Sequence, residues 1–148
     1  TSSEHRLAMT ELAIASNPKF AVSRLDIDRP GPCYSTDTIR LLSQELGNEA
    51  DIYFIIGTDS LMDMPTWHEP KQLVELCRFA VVERPNYEAD LNWLESVLPG
   101  VRSLIEFIDA PAIALSSSDI KRRIRLGYSI KYQVPETVEK YIHNHQLY

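Results

Sequence analysis

The sequence has 148 residues, a length that fits one domain and buries a core without a disulfide or metal staple. Hydrophobic residues make up 44% and charged residues 24%, a globular mix that excludes wholesale disorder. The 15 basic and 21 acidic side chains leave a net charge of −6, which disfavours a nucleic-acid polymer as partner but not one small phosphate ligand held by a local cluster of donors.

In chain order, Glu4 to Ser16 places Leu7, Ala8, Leu12 and Ala15 at helical spacing, with Thr1 to Glu4 readable as a capping box, and Asn17-Pro18 ends the helix. Phe20 to Asp28 predicts a strand, with a slip in its alternation at Ser23-Arg24, broken by Arg29-Pro30-Gly31-Pro32. Ile39, Leu42 and Leu46 mark a helix that starts after Ser35 or Thr36 and stops at Gly47. Asp51 to Ile56 is a continuous apolar run ending in Gly57, the pattern of a parallel strand buried on both faces. A long loop carrying Trp67 follows, then a short helix from Pro70 to about Leu76 and a second apolar strand at Phe79-Ala80-Val81-Val82. Asp90 caps a helix holding Leu91, Leu94 and Leu98, and Leu104 to Ile108 gives a further strand. Ser118 and its neighbours open a helix through Leu126, closed by Gly127, and Pro135 begins the last helix with Val138, Tyr141 and Ile142 inward.

Strands alternating with helices at this spacing predict an α/β class, a doubly wound parallel sheet in one domain over residues 1–148. Cys33 and Cys77 form no CxxC pair, no His or acidic cluster has metal-ligand spacing, and no apolar run approaches the ~18 residues of a membrane span. A reducing cytoplasm, with no membrane partner, is the expected setting. No signal peptide is visible, and Thr1 opens the sequence as though it were cut from a longer one.

Ligands of open parallel sheets bind outside the carboxyl ends of the strands, and four polar segments are expected there. They are the run from Pro32 to Thr38, Gly57-Thr58-Asp59-Ser60, Glu83-Arg84-Pro85, and Ile113-Ala114-Leu115 leading into Ser116-Ser117-Ser118. The serine segment continues into Lys121, Arg122 and Arg123, so hydroxyls, free amides and the positive helix end would attract phosphate while the cations neutralise it. An ordinary serine cap with a solvated basic face is the plainer alternative. Gly57 admits close backbone approach and Asp59 can accept from a sugar hydroxyl or a base amine, although a simple glycine turn would look the same. Trp67 offers an indole face for stacking on a flat ring, or a plug for the edge of the core. The G-x-G-x-x-G fingerprint, the Walker loop and the G-x-S-x-G elbow are all missing, which argues against dehydrogenase, P-loop and serine-nucleophile chemistry.

Three stretches resemble the bacterial nicotinate-nucleotide adenylyltransferases. They are Phe54-Ile55-Ile56-Gly57-Thr58-Asp59-Ser60-Leu61 with Trp67 and Phe79 to Pro85, then Leu115-Ser116-Ser117-Ser118-Asp119-Ile120-Lys121 beside the family's I-S-S-T-x-I-R, and Ser129 to Pro135 with Tyr141-Ile142 and Leu147-Tyr148 beside its closing S-I-x-Y-x-V-P…Y-I…L-Y. Pro32 to Ile39 is likewise similar to P-S-Y-T-x-D-T-L. The resemblance implies a Rossmann-like nucleotidyltransferase fold and AMP transfer from ATP to nicotinate mononucleotide, giving deamido-NAD and pyrophosphate with the help of Mg2+. By position, Gly57, Asp59, Ser116, Ser117, Ser118, Lys121 and Arg122 would hold ATP, with Lys121 the catalytic cation, and Thr38, Trp67, Tyr34, Asp37 and Arg84 would line the acceptor pocket.

Two departures stand out. Lys121 replaces the family's Arg, a point charge for a planar fork. The family's opening G-G-T/S-F-D-P-x-H-x-G-H, whose histidines meet the ATP phosphates, has no counterpart, so the N-terminal part is expected to be missing and the chain to be inactive alone. Nicotinamide mononucleotide or pantetheine phosphate as acceptor, a non-catalytic nucleotide-binding module, and a homo-oligomer are the alternatives carried forward.

Overall fold

The computed structural model describes residues 1–47, 49–83, 88–111 and 113–148. The chain gathers into two compact units, one from Asp28–Ala112 and the other from Thr1–Ile27 with Ile113–Tyr148.

The first of these contains the sheet. Its strands are β1 (Tyr53–Gly57), β2 (Arg78–Val82) and β3 (Ile105–Ile108), parallel in the order β1-β2-β3. Between them run α4 (Thr58–Asp63), a 3-10 turn at Met64–Thr66, α5 (Pro70–Leu76) and α6 (Leu91–Val97), while α3 (Ser35–Leu46) precedes β1. Proline at its first position starts α5, and the Asp90 carboxylate caps α6 by accepting the Trp93 N–H at 2.9 Å. The strand period of two sets Phe54 and Ile56 beside Phe79 and Val81 on the face that meets the core. Leu61, Met64, Leu73, Phe79, Val81, Leu94 and Val101 are fully buried there. The other face carries Tyr53, Ile55, Arg78 and Glu106, with Tyr53 Oη and Arg78 Nη2 each donating to Glu106 Oε1 at 3.0 Å.

The second unit is helical: α1 (Ser3–Ile14), α7 (Ser117–Arg125) and α8 (Glu136–Asn144). Its core is Ile130, Val138 and Ile142, with Met9, Leu12, Ile120, Ile124, Val134, Leu147 and Tyr148 packed around them. His5 Nδ1 meets Tyr141 Oη at 2.9 Å, and the Thr137 hydroxyl donates to the Leu12 carbonyl at 3.3 Å, so α1 and α8 are laced by polar contacts at two levels.

Several expectations are corrected. Phe20 to Asp28 forms no strand; the segment stays irregular until α2 (Leu25–Asp28), where the Ser23 hydroxyl accepts the Leu25 N–H and turns the chain, consistent with the slipped alternation at Ser23-Arg24. Ile113-Ala114-Leu115 is not a strand either, since the Leu115 N–H closes a short turn on the Ile113 carbonyl. The apolar run of β1 is buried on one face only, Ile55 being 71% exposed; apolar composition alone did not reveal which residues face out. The loop before Trp67 holds α4 and the 3-10 turn, and α1 is capped by the Ser2 hydroxyl accepting the His5 N–H rather than by a box from Thr1. Pro135 occupies the cap position of α8, one residue ahead of its first turn.

Candidate functional site

Within the sheet-bearing unit, a cavity of about 380 Å³ is lined by Cys33, Tyr34, Ser35, Thr36, Thr66, Trp67 and His68. Two chain segments make it. One is the opening of α3, where the cap residue Tyr34 makes no side-chain cap bond, so the first-turn amides are left for other acceptors. The other is the connection from the 3-10 turn to α5, in which the Trp67 N–H bonds to the Met64 carbonyl at 2.9 Å. Trp67 packs against the core and meets Phe54 edge-on with ring centroids 6.1 Å apart, so it serves as core edge and cavity wall together. Tyr34 and His68 stack across the two segments at 4.0 Å with planes 25° apart.

Thr36 fastens these segments. It is 1% exposed, and its hydroxyl donates to the His68 carbonyl at 2.8 Å. Next to it Glu69, the residue before α5, holds a left-handed backbone at φ 49° and ψ 53°. Arg40, one turn along α3, reaches Asp37 at 2.6 Å, Glu69 at 3.1 Å and Gln72 at 2.6 Å, a guanidinium clamp between α3 and the start of α5. Hydrogen bonds to Glu69 and Asp37 hold the Arg40 guanidinium above its ordinary value.

The expected acceptor residues divide. Tyr34 and Trp67 line one cavity. Asp37 faces the clamp instead, paired with Arg40, and Thr38 accepts from Arg29 at 3.3 Å while donating to the Tyr34 carbonyl at 3.1 Å. Neither is among the cavity-lining residues. Arg84 lies outside the described residues. Gly57 ends β1 in extended backbone, φ −84° and ψ 163°, which any residue adopts, and Asp59 lies in the first turn of α4. Neither lines this cavity.

The serine segment belongs to the helical unit. Ser116 is the cap of α7, its hydroxyl accepting the Asp119 N–H at 3.1 Å, so this side chain takes the plain capping role and the helix opens at Ser117 rather than Ser118. The basic run therefore falls beyond the first turn, and Arg122, Arg123 and Arg125 stand in the last turn, where cations favour rather than oppose the helix dipole. Arg122 pairs with Asp119 at 2.6 Å, and Lys121 Nζ lies 5.2 Å above the Tyr148 ring. Arg123 donates twice to the Ser129 carbonyl and ties the helix to the loop after it.

The sequence assigns Thr36, Arg40 and His68 no binding role, His68 being weighed only as a metal ligand and set aside. Thr36, Ile39 and Arg40 share the i, i+3, i+4 face of α3, which marks an inward hydroxyl and guanidinium once the helix is placed. His68 had only its adjacency to Trp67 as a signal.

The model of the cytidylyltransferase-like family matches residues 1–123. A "Probable nicotinate-nucleotide adenylyltransferase" of Thermomicrobium roseum is 46% identical over 144 residues, covering 97% of this chain and 67% of its own length. A protein of the same name from Roseiflexus castenholzii is 43% identical, covering 99% of this chain and 73% of its own. Among solved structures, the Plasmodium falciparum nicotinic acid mononucleotide adenylyltransferase complexed with NaAD superposes with a TM-score of 0.74 at 21% identity, over 99% of this chain and 74% of that one. The same protein complexed with APC gives 0.75. At that identity the likeness establishes the fold, a Rossmann-like nucleotidyltransferase arrangement.

Proposed function

Because the chain belongs to the nicotinate-nucleotide adenylyltransferase family, we propose that it serves the transfer of AMP from ATP to nicotinate mononucleotide, giving deamido-NAD and pyrophosphate. The observation that carries this is the Trp67 indole on the wall of a cavity that the opening of α3 also lines. A pyridine ring stacks on an indole, and a carboxylate on that ring accepts from amides that a helix start leaves without partners.

Nothing on the chain need form a covalent intermediate. An oxygen of the mononucleotide phosphate attacks the α-phosphorus of ATP, the bond to the bridging oxygen of pyrophosphate breaks, and the pyrophosphate departs with both electrons. The protein contributes alignment and charge. In this proposal Trp67 and Tyr34 hold the acceptor ring; for Ser117, Ser118, Lys121 and Arg122 of the helical unit, the likeness to the family's serine motif is what supports a role toward the phosphates of ATP, with Lys121 the cation for the leaving group. Ser116, engaged as a cap, contributes through its backbone, and Gly57 and Asp59 border the nucleotide at the end of β1.

Magnesium would supply charge neutralisation on the triphosphate. Among the described residues no group of three or more His, Cys, Asp or Glu side chains could hold a metal, so no residue is assigned to it. An ion carried by substrate phosphates fits that donor set. A cytoplasmic setting goes with water-borne nucleotide substrates; among the described residues no helix is long and apolar enough to cross a membrane.

Calorimetric titration with nicotinate mononucleotide, and separately with ATP, tests the proposal, with pyrophosphate release measured when both are present. Saturable binding of the mononucleotide that quenches Trp67 fluorescence in a Trp93→Phe background is the expected result. Absence of binding at millimolar ligand overturns the acceptor site.

A further inference from the structure

The helical unit holds a cluster of three rings that the proposed reaction does not use. His5 stands in the first turn of α1, and Tyr141 and His145 stand at the end of α8. His5 Nδ1 meets Tyr141 Oη at 2.9 Å, and ring centroids lie 5.8 Å apart for His5 and Tyr141, 4.2 Å for Tyr141 and His145, and 5.3 Å for His5 and His145. Spacing along the sequence gives no hint of the pair, because the two histidines stand near opposite ends of the chain.

Both backbones are held. The Ser2 hydroxyl accepts the His5 N–H at 3.3 Å. His145 is the cap residue that ends α8, its N–H bonded to the Tyr141 carbonyl at 3.1 Å. Beyond it the Gln146 N–H donates to the His143 carbonyl at 3.1 Å and the Leu147 N–H to the Ile142 carbonyl at 3.0 Å, with Gln146 left-handed at φ 51°, a paired closure that most helices make on a glycine. Leu147 packs on the core of Ile130, Val138 and Ile142, so the turn that presents His145 is anchored from inside.

From this geometry we propose that His5 and His145 together bind a divalent late transition metal ion, of which Zn2+ is the type, and that the ion clips α1 to α8. Imidazole nitrogen suits such ions. With Zn–N distances of about 2.0–2.1 Å and a tetrahedral angle, two imidazoles sharing one ion have their centroids about 5 Å apart. The observed 5.3 Å agrees. Because Nδ1 faces the phenol, Nε2 is the His5 nitrogen left for the ion, and Tyr141 orients the ring as outer-shell partners of metal-bound histidines do. Tyr141 is therefore a positioning residue. Among the described residues no third His, Cys, Asp or Glu completes a metal-holding group, so water fills the remaining positions on the exposed His145 side. The ion is distinct from the Mg2+ that accompanies the triphosphate, which takes oxygen ligands.

Calorimetric titration of the whole chain with Zn2+ at about pH 7.5 tests this, in a Cys33→Ser background that removes the exposed thiol. One ion binds per chain with a Kd on the order of 10 µM. Free Zn2+ about a hundredfold above that Kd raises Tm by about 5 °C. His5→Gln and His145→Gln each weaken binding at least about tenfold and abolish the rise, and Tyr141→Phe, which keeps the ring but not the hydroxyl, weakens it about tenfold. His143→Gln, at an exposed position of the same helix, binds as the parent does, and Mg2+ does not compete. Since His145 is exposed, the metal-free melt of His145→Gln stays within about 1 °C of the parent, which separates lost binding from lost folding. Absence of saturable Zn2+ binding below about 1 mM, binding that survives His145→Gln, or an equal loss in His143→Gln overturns the proposal and leaves the three rings as packing alone.

Discussion

Replacing Thr36 by Val removes one hydroxyl and keeps the shape. In the native protein that hydroxyl, on a residue 1% exposed, donates to the His68 carbonyl at 2.8 Å. Leaving the carbonyl without its donor costs about 1–3 kcal/mol, and the extra methyl returns somewhat less than 1 kcal/mol of burial, so the net loss is about 1–2 kcal/mol. For a chain of this length that lowers Tm by about 2–6 °C. The loss is local as well as global, because the freed carbonyl sits in the segment that carries Trp67, His68 and the left-handed Glu69. Mononucleotide affinity therefore falls with stability, about fivefold on the same energy scale. Thr36→Ser, which keeps the hydroxyl, holds most of the affinity and loses a methyl's worth of packing. The assay is a thermal melt by circular dichroism together with calorimetric titration of all three proteins. A Val variant that melts within about 1 °C of wild type and binds equally well refutes the argument that this hydroxyl fixes the wall.

Further expectations address other parts of the chain. Trp67→Phe keeps the contact with Phe54 and weakens mononucleotide binding about tenfold, whereas Trp67→Ala abolishes detectable binding and lowers Tm in addition; equal binding by wild type and Trp67→Ala, measured calorimetrically, would remove the stacking role. Burial pushes the Cys77 thiol up to about 12, while Cys33 is exposed, so iodoacetamide at about pH 8 modifies one cysteine per native chain and two in denaturant, counted by mass spectrometry. Acid stability depends on Glu95, whose carboxylate is held below its ordinary value by accepting the Gly100 N–H at 2.7 Å and the Arg102 N–H at 3.0 Å. A depressed folded value means that this contribution is present above the ordinary carboxylate range and is lost as pH falls through the folded value. The Tm gap between wild type and Glu95→Gln therefore narrows from about pH 7 to about pH 3, and a gap that stays constant contradicts a stabilising role for these two N–H contacts.

What could be read from the sequence divides by the reach of the interactions involved. α5 and α6 were legible because their starts are local chemistry, Pro70 at a first helical position and Asp90 as a cap. Gly47 likewise ended α3 through its positive φ of 79°. The expected strand at Phe20 to Asp28 failed because a strand needs a neighbour, and no local signal says whether one exists. Trp67 was legible as an aromatic in a polar loop, and its match to a known motif gave it a role. Thr36 was not, since its partner lies 32 residues away and nothing in the intervening chain announces the pairing. The order of cap and cations in α7 turned on a single residue: with Ser116 rather than a later serine as cap, the basic run moves from the opening of the helix into its closing half.

The left-handed backbone at Glu69 has a consequence for redesign. Such a conformation costs a side-chain-bearing residue about 1 kcal/mol, and glycine would adopt it without penalty. Yet glycine would also take from Arg40 the carboxylate just ahead of α5, leaving it Asp37 and Gln72. Glu69→Gly thus separates two quantities that stability screens usually confound, gaining backbone ease while slackening the recognition surface. A library sorted for heat tolerance would have reason to keep it, and the same library sorted for ligand capture would have reason to discard it.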